Sequence, residues 1–212
     1  MSTITYVTDL ARRERLALAD LLQNLGPDQP TLCVGWTTRD LAAHLVVRDR
    51  RPDATIGMLV PPLREHGERV RRAQAAQPYE ATLAELRTPP RWSLVSNPLV
   101  EGMTNTGEFF IHHEDARRGQ PDWAPRELDP GDAALLWRQA RFSGRLVLGR
   151  LRLPVRVRAE GFGQFEIGTG ALTTLTGPPG EVTLFLSGRQ RAARVEVDGP
   201  DAERLRTARL SL

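Results

Sequence analysis

Apolar residues along the first part of the chain recur at helical spacing. Between Asp9 and Asn24 they fall at Leu10, Leu16, Leu18, Leu21 and Leu22, with Asp9 placed to cap the start and Gly26 just past the end, which predicts a first helix. A turn at PDQPT leads into CVGWTTRDLAAHLVVRDRRPDA. There Thr37 fits an N-cap, Asp40 stands three residues on, and Trp36 can staple against Leu41. Pro52 limits this second helix, because the residue before a proline is pushed out of helical conformation. Residues 53–90 predict one or two further helices through Ile56, Met58, Leu59, Val70, Leu83 and Leu86, broken by prolines. In NTGEFFIHHEDARRG, Asn105 fits a cap, acidic residues follow in the early turns, Arg117 and Arg118 close the last turn and Gly119 stops it. Asp129 to Leu151 repeats the pattern through Ala133, Leu136, Trp137, Ala140, Val147 and Leu148.

Past residue 152 the period changes from helical to alternating. Val155 and Val157 alternate with arginines, Phe165 and Ile167 follow a glycine turn, and Val182, Leu184 and Leu186 alternate again, which predicts strands. ARVEVDG adds a short strand and the residues after Pro200 a last helix. The expected class is α+β in two domains: a helical bundle over 1–151 and a small C-terminal α/β domain with antiparallel strands over 152–212.

Composition narrows the function classes. With 26% charged and 40% apolar residues the chain has the balance of a folded globular protein. Its net charge of +3 comes with no lysine at all, and the arginines are spread among acids from end to end, so a nucleic-acid face is not expected. No stretch is apolar for long enough to span a bilayer, and the N-terminal segment lacks a secretory signal pattern, so no membrane partner is expected and the location read from the sequence is cytoplasmic. The single cysteine, Cys33, agrees with a reducing compartment and reads as a small packed hydrophobe rather than a nucleophile.

Of four histidines, His44, His112 and His113 lie on the two best-marked helices. Glu108 and His112, four residues apart, share a helix face and can converge on one ion, while His44 sits beside Leu41 and Leu45 on an inward stripe. Two imidazoles and a carboxylate suit zinc or another divalent first-row metal, nickel among them, and leave a position open. Other readings stand beside this one. Glu108, three residues after Asn105, also fits a capping carboxylate, and a single inward histidine is commonly a hydrogen-bonded core residue. His113 and Glu114 project about 100° and 200° away from His112, whereas Asp115 lies near its face and can orient a ligand imidazole. Arg48, one turn beyond His44, offers a charge to an anionic substrate or joins a surface ion pair, and His66 lies in an arginine-rich, solvated stretch.

The segments GWTTRDLAAHLVVRDRRPDA and NTGEFFIHHEDARRGQPDW resemble the metal-binding domain of the mycothiol-dependent maleylpyruvate isomerases, within the wider DinB-like group, and especially a subfamily with the same HHED segment. The similarity runs over nearly the whole chain. It implies a DinB-like four-helix bundle with metal ligands at His44, Glu108 and His112. GPPGEVTLFLSGRQRAARVEVDG is similar to the end of a sterol-carrier-like domain, in a short version. The activity implied is thiol chemistry, in which the metal activates mycothiol or another low-molecular-weight thiol against an electrophilic substrate. Arg48 and Arg189 are then candidates to hold carboxylates, and Asp115 a supporting role. The alternatives are a non-catalytic, metal-stabilised binding or regulatory protein, and a metal-dependent hydrolase whose only nearby bases are Asp115 and Glu114.

Overall fold

A computed structural model describes the backbone of residues 3–59, 61–90, 98–170 and 172–210, and the side chains of 9–55, 62–90, 105–170 and 172–210. The expected apolar positions Ile56, Met58 and Leu59 fall outside the described side chains. The chain is α+β and divides into two compact units, Met1–Ala124 and Pro125–Leu212.

The first unit is helical: α1 (Thr3–Leu25), α2 (Thr38–Arg50), α3 (Pro52–Leu59), a short 3₁₀ turn (Pro61–Leu63), α4 (Arg64–Ala75), α5 (Tyr79–Arg87) and α6 (Pro98–Arg118). α1 packs chiefly along α6, and α2 packs against α4 and α5. Their shared core holds Leu18, Leu22, Leu41, Leu45, Leu83, Leu86 and Phe109, all fully buried. Each such side chain stabilises the fold by about 1.5–3 kcal/mol relative to exposure. α1 begins well before Asp9, so Asp9 lies inside the helix and does not cap it.

The start of α2 is as its sequence suggests. The Thr37 backbone N–H donates to Asp40 Oδ2 at 3.1 Å, and Arg71 donates to the other oxygen at 2.6 Å while lying over the Trp36 ring. Burial alone raises the Asp40 carboxyl, but the hydrogen bonds from Arg71 and Thr37 outweigh it and hold the group below its ordinary value.

α6 differs from expectation at its beginning. It starts at Pro98, a residue favoured in a first helical turn, and no proline follows before Pro121, so Asn105 is a buried residue within the helix and not its cap.

In the second unit, α7 (Pro130–Leu151) is followed by β1 (Val155–Ala159), β2 (Gly163–Ile167), β3 (Thr173–Thr176), α8 (Pro179–Leu186), β4 (Glu196–Asp198) and α9 (Ala202–Thr207). The boundary therefore falls after Ala124 and not after residue 151. Trp137, Ala140, Val147 and Leu148 of α7 join a core with Val155, Val157, Phe165, Leu175 and Phe185. An amphipathic stripe shows that a helix has a partner without showing which partner.

The four strands form one sheet in the order β2-β1-β3-β4. Two of its pairings are antiparallel as expected, but the central β1–β3 pair is parallel. The segment Val182–Leu186 is helical and not a strand. Pro179 occupies its first turn and every residue from Pro179 to Leu186 is buried, so the alternation in the sequence did not mark alternate faces. Among the described residues no helix is long and apolar enough to cross a membrane.

Candidate metal centre

The packing of α2 beside α6 brings together the three residues read as ligands. His44, in the middle of α2, is buried with its neighbours Leu41 and Leu45. Glu108 and His112 stand one turn apart on α6. Glu108 Oε1 lies 3.3 Å from His44 Nε2 and 3.3 Å from His112 Nε2, and the two imidazole rings are 5.1 Å apart and steeply inclined. Donors about 2.0–2.1 Å from a tetrahedral zinc sit about 3.3–3.4 Å from one another, so this spacing fits such an ion. All three donor atoms lie within 4.8 Å of one another.

Of the two competing readings of these residues, the one for Glu108 loses its basis. Glu108 cannot be the carboxylate of a cap at Asn105, because Asn105 is inside α6 and its Oδ1 accepts from Arg48 Nη1 at 2.6 Å. His44 is buried and hydrogen-bonded as that reading has it, but at one nitrogen only. Its Nε2 faces Glu108, its Nδ1 is buried without a partner, and its ring is held by packing on Trp36 at 5.1 Å.

His112 is more firmly oriented. Its Nδ1 lies 2.8 Å from Oδ2 of Asp115, a wholly buried carboxylate, which fixes the proton on Nδ1 and turns Nε2 toward Glu108. The same Asp115 oxygen accepts from the Cys33 thiol at 3.2 Å. Cys33, His112 and Asp115 thus form a second group of ligand-type atoms, but the separation of 2.8 Å is that of a strong hydrogen bond and shorter than a tetrahedral edge. The distances assign Asp115 to orientation and the outer trio to support of His112.

Cys33 packs against the first core, as its sequence context suggests, and it also bonds Asp115, a contact between distant segments that no local pattern signals. It reaches α6 because the segment after Pro30 is tied to the end of that helix: Leu32 N–H donates to the Asp115 carbonyl at 3.0 Å and Gln120 Nε2 to the Pro30 carbonyl at 3.0 Å. Gly119 permits the approach. A Cβ there would sit 2.4 Å from the Pro30 oxygen, so its role is close backbone contact as well as ending the helix.

The electrostatics favour a cation. Burial raises the Glu108 carboxyl, but hydrogen bonds from His112 and His44, together with the charges of His112 and Arg48, hold it well below its ordinary value. Burial lowers His44, and the nearby charges of His112 and Arg48 act in the same direction against the attraction of Glu108, so it stays below its ordinary value and is neutral at pH 7. For His112 burial is outweighed by hydrogen bonds to Asp115, Cys33 and Glu108, and the imidazole sits well above its ordinary value.

The other expected residues divide. Arg48 borders the centre, with Nε 3.4 Å from Glu108 Oε1. Arg189 lies in the second unit, where its guanidinium donates to the Ser187 carbonyl at 2.6 Å and its backbone closes the turn after α8. His113 points away from His112 and bonds Glu14 of α1 at 2.7 Å. Glu114 is held by Arg117 and Arg118, and Asp115 by His112 and Cys33, so both carboxylates a hydrolase would draw on as bases are engaged. His66 bonds Asp53 at the surface. Comparison of the chain with protein-family models, curated proteins and solved structures finds no match.

Proposed function

We propose that the chain is a metal-dependent thiol transferase or isomerase in which His44, Glu108 and His112 hold one divalent ion, zinc before nickel or another first-row metal. On this reading it is kin to the DinB-like, mycothiol-dependent maleylpyruvate isomerases, with the first unit as the metal-binding bundle and the second as a short sterol-carrier-like domain. The observation that carries the proposal is the convergence of two imidazole nitrogens from different helices on one carboxylate oxygen at 3.3 Å each.

Three protein donors leave a tetrahedral ion one exchangeable position. A bound ion supplies Lewis acidity that lowers the pKa of a coordinated thiol, so the chain needs no nucleophile of its own. Its residues prepare the site. Asp115 keeps a proton on His112 Nδ1, so Nε2 is the nitrogen that would give up its proton to an ion, His44 is neutral, and ionised Glu108 supplies the charge. Trp36 covers the His44 ring and limits water on that side. Arg48, already beside Glu108, is the cation available to a carboxylate of the thiol or of an electrophilic substrate.

The test is metal analysis of the purified chain and its His44→Ala and Glu108→Ala variants, followed by thiol titration of the cobalt-substituted protein. The proposal expects one metal per wild-type chain, a sharp loss in each variant, and new near-ultraviolet absorption when a low-molecular-weight thiol is added. Full metal content in both variants refutes the ligand set. Metal binding with no spectral response to mycothiol or cysteine refutes the thiol chemistry and leaves the non-catalytic alternative.

A further inference from the structure

On a different side of α2, a cavity of about 480 Å³ opens between that helix, α4 and α5, and none of the metal-centre residues lines it. Its apolar wall is made by Val47, Val70 and Ala73, and guanidinium groups of Arg50, Arg51 and Arg69 reach it together with a single carboxylate, Glu85.

The cations are not equally free. Arg51 is held in two hydrogen bonds by Asp53, which also takes the His66 ring, so that group is neutralised where it stands. Arg50 is fixed by its Nη2 on the Thr88 carbonyl at 2.9 Å, yet its Nε is buried and donates to nothing, with Glu85 Oε2 too far away at 3.8 Å. Arg69 makes no hydrogen bond or ion pair among the described residues. An exposed arginine alone is well hydrated and shows nothing. A guanidinium anchored at one end with a buried donor unsatisfied at the other is different, because the donor gains most when an oxygen acceptor arrives. Next to it lie one uncommitted cation and an apolar wall, the combination of a small-molecule site.

We infer that this cavity binds a small organic anion, a carboxylate or phosphate carrying an apolar body, with its oxygens on Arg50 and Arg69 and its body against Val47 and Val70. The site is independent of the metal centre.

The experiment is isothermal titration of the full chain, freed of metal by chelator, with phenyl phosphate, benzoate and inorganic phosphate. Saturable one-to-one binding of phenyl phosphate or benzoate is expected, tighter than that of inorganic phosphate. The tighter of the two organic probes identifies the headgroup. Arg69→Gln, an exposed change that leaves the fold alone, should weaken binding by about tenfold, the loss of one charge-assisted hydrogen bond, and Arg50→Gln by at least as much. His44→Ala should bind as the wild type does. Absence of saturable binding by either organic probe, equal affinity in Arg69→Gln, or no preference over inorganic phosphate overturns the inference.

Discussion

Asp115 is the residue at which the proposed centre is most sharply testable, since it orients a ligand without being one. Its Oδ2 accepts from His112 Nδ1 at 2.8 Å and from the Cys33 thiol at 3.2 Å, and the residue is wholly buried. Removing a carboxylate that supports a ligating imidazole costs roughly 10–100-fold in metal affinity. At about 1.4 kcal/mol per tenfold, that is about 1.4–2.8 kcal/mol. Asp115→Asn should fall at the lower end, because an amide oxygen can still accept from Nδ1–H although it carries no charge. Asp115→Ala should reach the upper end, removing the carboxylate on which His112 Nδ1 and the thiol meet. The local backbone should hold in either variant, because the bonds from Leu32 and Gly119 go to the Asp115 carbonyl and not to its side chain. Zinc affinity measured by competition with a chromophoric chelator at fixed pH gives the numbers, with circular dichroism confirming the fold. Cys33→Ser, which keeps a donor for Asp115, should stay within about threefold of wild type. A folded Asp115→Ala protein with wild-type zinc affinity would refute the orienting role and with it the assignment of His112 Nε2 as the donor.

Three further outcomes follow from other parts of the first unit. Because His112 sits well above its ordinary value in the metal-free chain, it is protonated at neutral pH; zinc binding should release about one proton, seen as a buffer-dependent enthalpy in titration calorimetry, and apparent affinity should rise with pH until that raised value is passed. The Arg15–Asp49 ion pair is almost completely buried, so Asp49→Ala should destabilise the chain to denaturant by about 3–5 kcal/mol, whereas the double change Arg15→Met with Asp49→Leu should recover most of the loss. The depressed Asp40 carboxyl contributes stability that is fully present above its ordinary value and disappears as pH falls through the lower folded value; the advantage of wild type over Asp40→Asn in urea should be constant at neutral pH and vanish in strong acid.

What the sequence disclosed depended on how far apart along the chain the interacting groups were. The Thr37–Asp40 start of α2 and the Glu108–His112 face of α6 are local relations, fixed by helix geometry within one turn, and both stand in the structure. Element type was less legible where burial is complete. Val182, Leu184 and Leu186 alternate in the sequence, yet a segment buried on every side has no polar face to set its period, and the proline at its first turn was the better guide. The start of α6 is hard to read for a related reason: Asn105 has the chemistry of a cap, but it is used as a buried acceptor for Arg48.

The unread part of the centre consists of contacts between distant segments. Cys33 meets Asp115 across 82 positions, through a loop held by main-chain bonds and by the absence of a side chain at Gly119, and no local spacing encodes such a meeting. The two histidines of the proposed centre are consequently supported on unequal terms. His112 has its far nitrogen fixed by a buried carboxylate, whereas His44 has a buried, unpartnered Nδ1 and is held through Nε2 by Glu108 and by packing on the Trp36 and His112 rings. On neutral His44 only one nitrogen carries the proton. With the Glu108 carboxylate as acceptor, Nε2–H donates to it and Nδ1 keeps an unused lone pair; an ion held at Nε2 would require the proton on Nδ1, which has no acceptor among the described residues. In the proposed centre the two histidines therefore carry different costs, an unsatisfied donor at His44 Nδ1 and the release of an extra proton at His112, and affinity would depend on both.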